Sequence, residues 1–94
     1  MFEMHDWVLD QISCDWKASV VALTFKTSGL PQKLVALGVR DLQVPHRDDW
    51  GPSESVNAVR GPFEEPAGFK KLAIEMQSGD VISLVAVSYT LEAV

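Results

Sequence analysis

KLAIEMQSGDVISLVAVSYTL, residues 71 to 91, decides how the rest of this chain is read. Leu72, Ile74 and Met76 alternate with Ala73, Glu75 and Gln77. Such alternation sends successive side chains to opposite faces of a β-strand. The run breaks at Ser-Gly-Asp and resumes as VISLVAVSYTL. A loop of Gln77, Ser78 and Gly79 pairs Met76 with Asp80, Ile74 with Ile82 and Leu72 with Leu84. That register gathers the apolar residues of both strands on one face. It also puts Gly79 at the left-handed position of a type I turn plus bulge. A loop of Ser78 and Gly79 alone pairs Ile74 with Ser83 and sets Ile82 beside Glu75, which splits the apolar face. The longer loop is therefore expected.

Beyond the loop both parities are apolar: Ile82, Leu84 and Ala86 on one side, Val81, Val85, Val87 and Tyr89 on the other. A strand covered on both faces is central in its sheet or buried in an assembly. This pattern allows a homodimer.

The same period runs back along the chain. In SVVALTFKT, residues 19 to 27, Val21, Leu23 and Phe25 share a face, and β-branched and aromatic residues dominate. WVLDQISCDW, residues 7 to 16, reads as a strand that forms a first hairpin with it. Val8, Ile12 and Cys14 have one parity, Trp7 and Leu9 the other. KLVALGV follows the turn SGLPQ as a third strand that Gly38 bends, and DLQV ends at Pro45, which has no ladder donor. SESVNAV is read as a strand in preference to a helical turn capped by Ser53. GPFEEPAG is read as a loop. No repeat or linker is evident. The expected fold is all-β: a single small antiparallel β-sandwich or curved β-roll of residues 1–94, with about six to seven strands and a C-terminal hairpin.

Composition bounds the function. The chain has 94 residues, enough for one core with little apolar material to spare. Thirteen acids against eight bases give a net charge of −5, which argues against nonspecific nucleic-acid binding and permits a basic protein partner. Cys14 stands alone, so disulfides cannot staple the fold, and a buried apolar role is expected for it. The first residues lack the basic segment and apolar run of a secretory signal. The longest uncharged stretch, residues 81–91, falls short of the roughly 20 residues that cross a bilayer. A cytoplasmic protein is expected, with no membrane partner. Met4 is an alternative start that would make the first three residues dispensable.

The chain holds no Gly-rich phosphate loop, CxxC, HxxxH or HExxH, so no catalytic residue and no cofactor is assigned. His5 with Asp6, and His46 with Asp48 and Asp49, are the two His/acid clusters. Their convergence would suffice for a metal site, and solvated loop residues are the simpler reading. Three tryptophans remain. Trp7 and Trp16 are expected in the core or at a barrel end. Trp50, between HRDD and Gly-Pro, is either a lid over an open end or an exposed anchor. Asp6 and Asp10 belong to an acidic N-terminal stretch with no lysine or arginine in its first sixteen residues. On an unbroken strand they share a face about 13 Å apart. With His46, Asp48, Asp49 and Trp50 they form the candidate interaction surface.

HDW at 5 to 7, WGPSESVN at 50 to 57 and IEMQSGDVI at 74 to 82 together resemble a diffuse set of small bacterial β-proteins. Those share a W-G-x-S-x-S/I-N-type segment midway and an apolar-SGD-apolar hairpin near the end. Some are classed as immunity proteins of polymorphic-toxin systems, which bind and block a cognate toxin. The resemblance implies a bacterial cytosolic binding protein; with the net charge of −5, the expected partner is a protein such as a basic toxin. It carries no catalytic residue. The alternative is a small metal- or ligand-binding roll or enzyme using His5, His46, Asp48 and Asp49.

Overall fold

The computed structural model describes residues 2–45 and 54–94. Its strands are β1 (Val8–Asp15), β2 (Val20–Lys26), β3 (Gln32–Leu37), β4 (Asp41–Gln43), β5 (Val56–Glu64), β6 (Lys70–Met76), β7 (Val81–Ala86) and β8 (Ser88–Ala93). They form two antiparallel four-stranded sheets, ordered β1-β2-β3-β8 and β4-β7-β6-β5. The all-β expectation holds, with one strand more than the six to seven expected because VISLVAVSYTL bends and divides into β7 and β8.

Each bend has a visible cause. VISLVAVSYTL is not one strand. It leaves one sheet at Ala86 and enters the other at Ser88. The inward parity flips there: Ile82, Leu84 and Ala86 face the core before Val87, and Tyr89 and Leu91 pack on it afterwards. Apolar residues on both parities thus record a change of sheet. They need no covering subunit, and β8 is an edge strand rather than a central one. The partner ribbon bends beside it. Val87 N–H donates to Leu37 O at 3.0 Å and Arg40 N–H to Val85 O at 2.8 Å, so β3–β4 and β7–β8 turn the corner together. Gly38 bends the ribbon as its position suggested. A Cβ there would lie 2.8 Å from Val87 Cγ2, so the crossing needs its bare backbone.

The two halves of the chain follow one plan. The meanders β1-β2-β3 and β5-β6-β7 each send their next strand, β4 or β8, to the edge of the other sheet. Leu9 pairs with Phe25 and Val56 with Met76, and both registers then shift by a bulge, at Asp10 and at Asn57. Matching the registers strand by strand equates Ile12 with Val59, Val21 with Leu72, Leu23 with Ile74, Leu34 with Ile82 and Leu42 with Tyr89. Every member of these pairs is in the core or packs against it. The halves meet where Val8 bridges Ser55, flanked by Leu9 N–H to Glu54 O and Val56 N–H to Trp7 O. This is a pseudo-twofold relation. The sequence reading found no repeat because each pair shares only its apolar character.

The bulge at Asp10 corrects the reading of β1. It brings Leu9, Ile12 and Cys14 to one face, opposite Phe25, Leu23 and Val21. Asp6 lies outside the strand, at φ 67°. The unbroken strand that gave Asp6 and Asp10 a common face does not form. GPFEEPAG is also corrected: β5 runs through Gly61 and Pro62 to Glu64, and only then comes a short 3-10 turn, Pro66–Gly68. The residues before Met4 are not idle, because Phe2 packs against the core and Met4 is buried in it.

The β6–β7 hairpin forms in the expected register. Ile74 faces Ile82 and Leu72 faces Leu84, while Met76 N–H donates to Asp80 O at 2.8 Å. Gly79 has φ 95° and nothing within 4 Å of a Cβ built on it. Gly79→Val is therefore expected to cost about 1–2 kcal/mol, all from backbone strain. Thermal unfolding checks this, and an unchanged melting temperature refutes the turn.

Candidate functional site

His5 and Asp6 are latched to the joint between the halves. His5 Nδ1 lies 2.7 Å from Asn57 O. A carbonyl only accepts, so Nδ1 carries the proton and the ring points Nε2 toward Asp6 Oδ1, 3.5 Å away. Asp6 Oδ1 also accepts from Gln77 Nε2 at 2.6 Å. Asp6 N–H donates to Val56 O, and Gln77 N–H to Ser55 O. Asn57 Nδ2 continues the network to Glu75 Oε1 at 2.9 Å. These contacts fasten the N-terminal segment over the start of β5. Asp10, the bulged residue, sits 3.6 Å from Lys26 Nζ, with both side chains largely in solvent. His46, Asp48, Asp49 and Trp50 lie outside the described residues. Among the described residues no three His, Cys, Asp and Glu side chains gather in a way that could hold a metal ion, and no helix is long and apolar enough to cross a membrane.

The tryptophans divide. Trp7 packs against the core, its ring centroid 6.0 Å from that of Phe25. Trp16 is 90% exposed and does not plug anything. It belongs to the turn between β1 and β2, where Asp15 Oδ1 accepts Ala18 N–H at 3.1 Å and Ser19 has φ 57°. No alternation governs a turn, so parity carried no information about Trp16. The signal was its setting: Asp15-Trp16-Lys17 leaves the indole no apolar neighbour in sequence.

Beside Trp16 opens a cavity of about 430 Å³ between the end of β1 and the β3–β4 bend. Val21, Val39 and Leu42 make its apolar part, and Cys14, Asp15, Arg40 and Asp41 also line it. Cys14 faces inward opposite Val21 yet is exposed, which corrects its buried assignment. The seam stays open at that level, so the thiol meets solvent from the core side. Arg40 Cζ sits 5.0 Å from the Phe69 ring centroid, a cation–π contact. Among the described residues no carboxylate lies in ion-pair range of its guanidinium.

The pseudo-equivalent seam, between β5 and β8, is closed. Tyr89 faces Ala36 of β3 as Leu42 faces Leu84 of β7, and its ring packs on the core. Its hydroxyl donates to Lys70 O at 2.7 Å, with Leu84 O at 3.1 Å. Burial pushes its pKa up to about 12. The folded state holds this proton more tightly than the unfolded chain, whose phenol titrates near 10. The stability tied to it is complete below about pH 10 and is lost as pH rises through about 12. Tyr89→Phe should flatten that alkaline decline in a denaturation series over pH 9 to 12. A decline of the same slope in the variant would assign it elsewhere.

Comparison of the chain with known protein families, with curated proteins and with solved structures returned no match.

Proposed function

We propose that this chain is a noncatalytic protein-binding domain of the bacterial cytosol whose acidic surface meets a basic partner, in the manner of an immunity protein that neutralises a toxin. The observation that carries the reading is Trp16, held 90% exposed at a hairpin tip beside an open cavity. A large rigid aromatic side chain in that position gains most when a partner desolvates it. The net charge of −5 supports a basic partner, since opposite charge speeds encounter. Within the candidate surface Asp6 serves the latch and Asp10 faces Lys26, and Trp16 joins it as an aromatic anchor, while His46, Asp48, Asp49 and Trp50 lie outside the described residues.

The metal-binding or enzymatic alternative is not favoured by any observation. His5 is engaged by Asn57 O, and His46, Asp48 and Asp49 lie outside the described residues.

The test is quantitative binding. Proteins captured from a bacterial lysate by crosslinking are purified and titrated against the parent chain and Trp16→Ala. At least one should bind stoichiometrically, lose tenfold or more in affinity in the variant, and associate more slowly as salt rises. Equal affinity for parent and variant across all captured proteins, with rates insensitive to salt, overturns the reading.

A further inference from the structure

We propose that the seam between β1 and β4 is a groove for an extended partner segment, which adds as a strand to the free edge of β1, seats an apolar side chain in the cavity and sets basic side chains beside Asp15 and Asp41. The proposal rests on the protein-binding reading above and names its surface.

The pseudo-twofold relation supplies the first argument. Two equivalent seams exist, and one is filled by Tyr89 from β8. At the matching place the other carries Leu42, whose shorter side chain leaves about 430 Å³ open. The opening is therefore a matter of residue choice, since the same architecture closes when an aromatic side chain is supplied.

Edge geometry supplies the second. β1 ends one sheet and β4 ends the other. Past Leu9, the outer edge of β1 bonds to no other strand among the described residues. An unpaired edge accepts an added strand, with main-chain bonds giving affinity and alternate side-chain pockets giving specificity.

Parity then sets the chemistry. Cys14 and Leu42 face inward, paired with buried Val21 and Leu84, so the neighbouring Asp15 and Asp41 face outward. An incoming strand must alternate in the same way. Its inward residue meets Val21, Val39 and Leu42, and its outward residues meet two carboxylates. An apolar residue flanked by lysine or arginine satisfies both. A second copy of this chain fits less well, because β1 carries Asp10 and Asp15 and no base, and pairing two such edges sets acids against acids.

Cys14 makes the test direct, because it is the only cysteine and lines the cavity. A random octapeptide display library is selected against the full chain, and enriched peptides are synthesised and titrated. Enrichment of alternating apolar and basic residues is expected. Bound peptide should slow iodoacetamide alkylation of Cys14 by on the order of tenfold. Leu42→Tyr, which supplies the ring that closes the other seam, should weaken binding about tenfold while the melting temperature holds. The double variant Asp15→Asn, Asp41→Asn should lose most of the salt dependence. No enrichment, enrichment of acidic peptides, or alkylation that slows with protein concentration alone each overturns the proposal. Peptides that bind without protecting Cys14 also overturn it while leaving the protein-binding reading intact. That reading fails separately, on Trp16→Ala with captured partners.

Discussion

Phe25→Ala is expected to lose about 3–5 kcal/mol of folding free energy, the usual cost of emptying a buried aromatic site. Phe25 is fully buried near the C-terminal end of β2, with Leu9 and Gln32 as its cross-strand neighbours and the Trp7 ring centroid at 6.0 Å. Removing the ring opens a cavity and strips Trp7 of its tilted aromatic contact. Domains of this size are stable by only about 5–15 kcal/mol, so the variant forfeits a large share of the whole. At 4–8 °C per kcal/mol, the melting temperature should fall by at least about 12 °C. The pseudo-equivalent site indicates which replacement is mild. Met76 occupies in β6 the place of Phe25 in β2 and is 1% exposed. Phe25→Met should therefore cost much less, of order 1–2 kcal/mol, because a flexible thioether fills most of the space. Thermal or urea unfolding of both variants checks this. A Phe25→Ala protein melting within a few degrees of the parent would falsify the placement of the core.

How much of this was legible follows from how strand parity works. SVVALTFKT and KLAIEM could be read because each has one apolar and one mixed face, and the structure buries Val21, Leu23, Phe25, Leu72, Ile74 and Met76. The β6–β7 loop could be read because only one loop length keeps Ile74 opposite Ile82. Parity fails wherever a residue is inserted or the sheet changes. The bulge at Asp10 flips the sense of everything after it, and no glycine there announces it. The switch at Val87 places apolar residues on both parities, which alone looks the same as a strand buried on both faces. Cys14 was misplaced for a related reason. Its exposure depends on an open seam, which is a relation between β1 and β4, distant in sequence and never paired to each other. The seam in turn depends on Leu42 standing where the other half has Tyr89, and that comparison needs the registers of both halves.

The two halves differ in register at Gly61, and its substitution carries the second large effect. It takes the place in β5 that Cys14 takes in β1, but here the register with β6 shifts between Arg60 and Phe63. Its φ is 102°, outside what a side chain tolerates, and a Cβ would lie 2.6 Å from the Lys71 carbonyl oxygen. That oxygen belongs to the paired strand, so relieving the contact means parting β5 from β6. Gly68 provides the control, with φ 81° and nothing within 4 Å of its Cβ position. Both substitutions to alanine pay the strain of a positive φ, about 1–2 kcal/mol. Only Gly61→Ala adds the clash, a further 1–3 kcal/mol on the scale of overpacked interiors. Gly61→Ala should therefore lose about 2–5 kcal/mol, and Gly68→Ala no more than about 2. Amide hydrogen exchange should locate the difference, with faster exchange along β5 and the facing part of β6 in Gly61→Ala and none of it in Gly68→Ala. Equal losses in the two variants would mean that the approach of Gly61 to Lys71 does not constrain the fold.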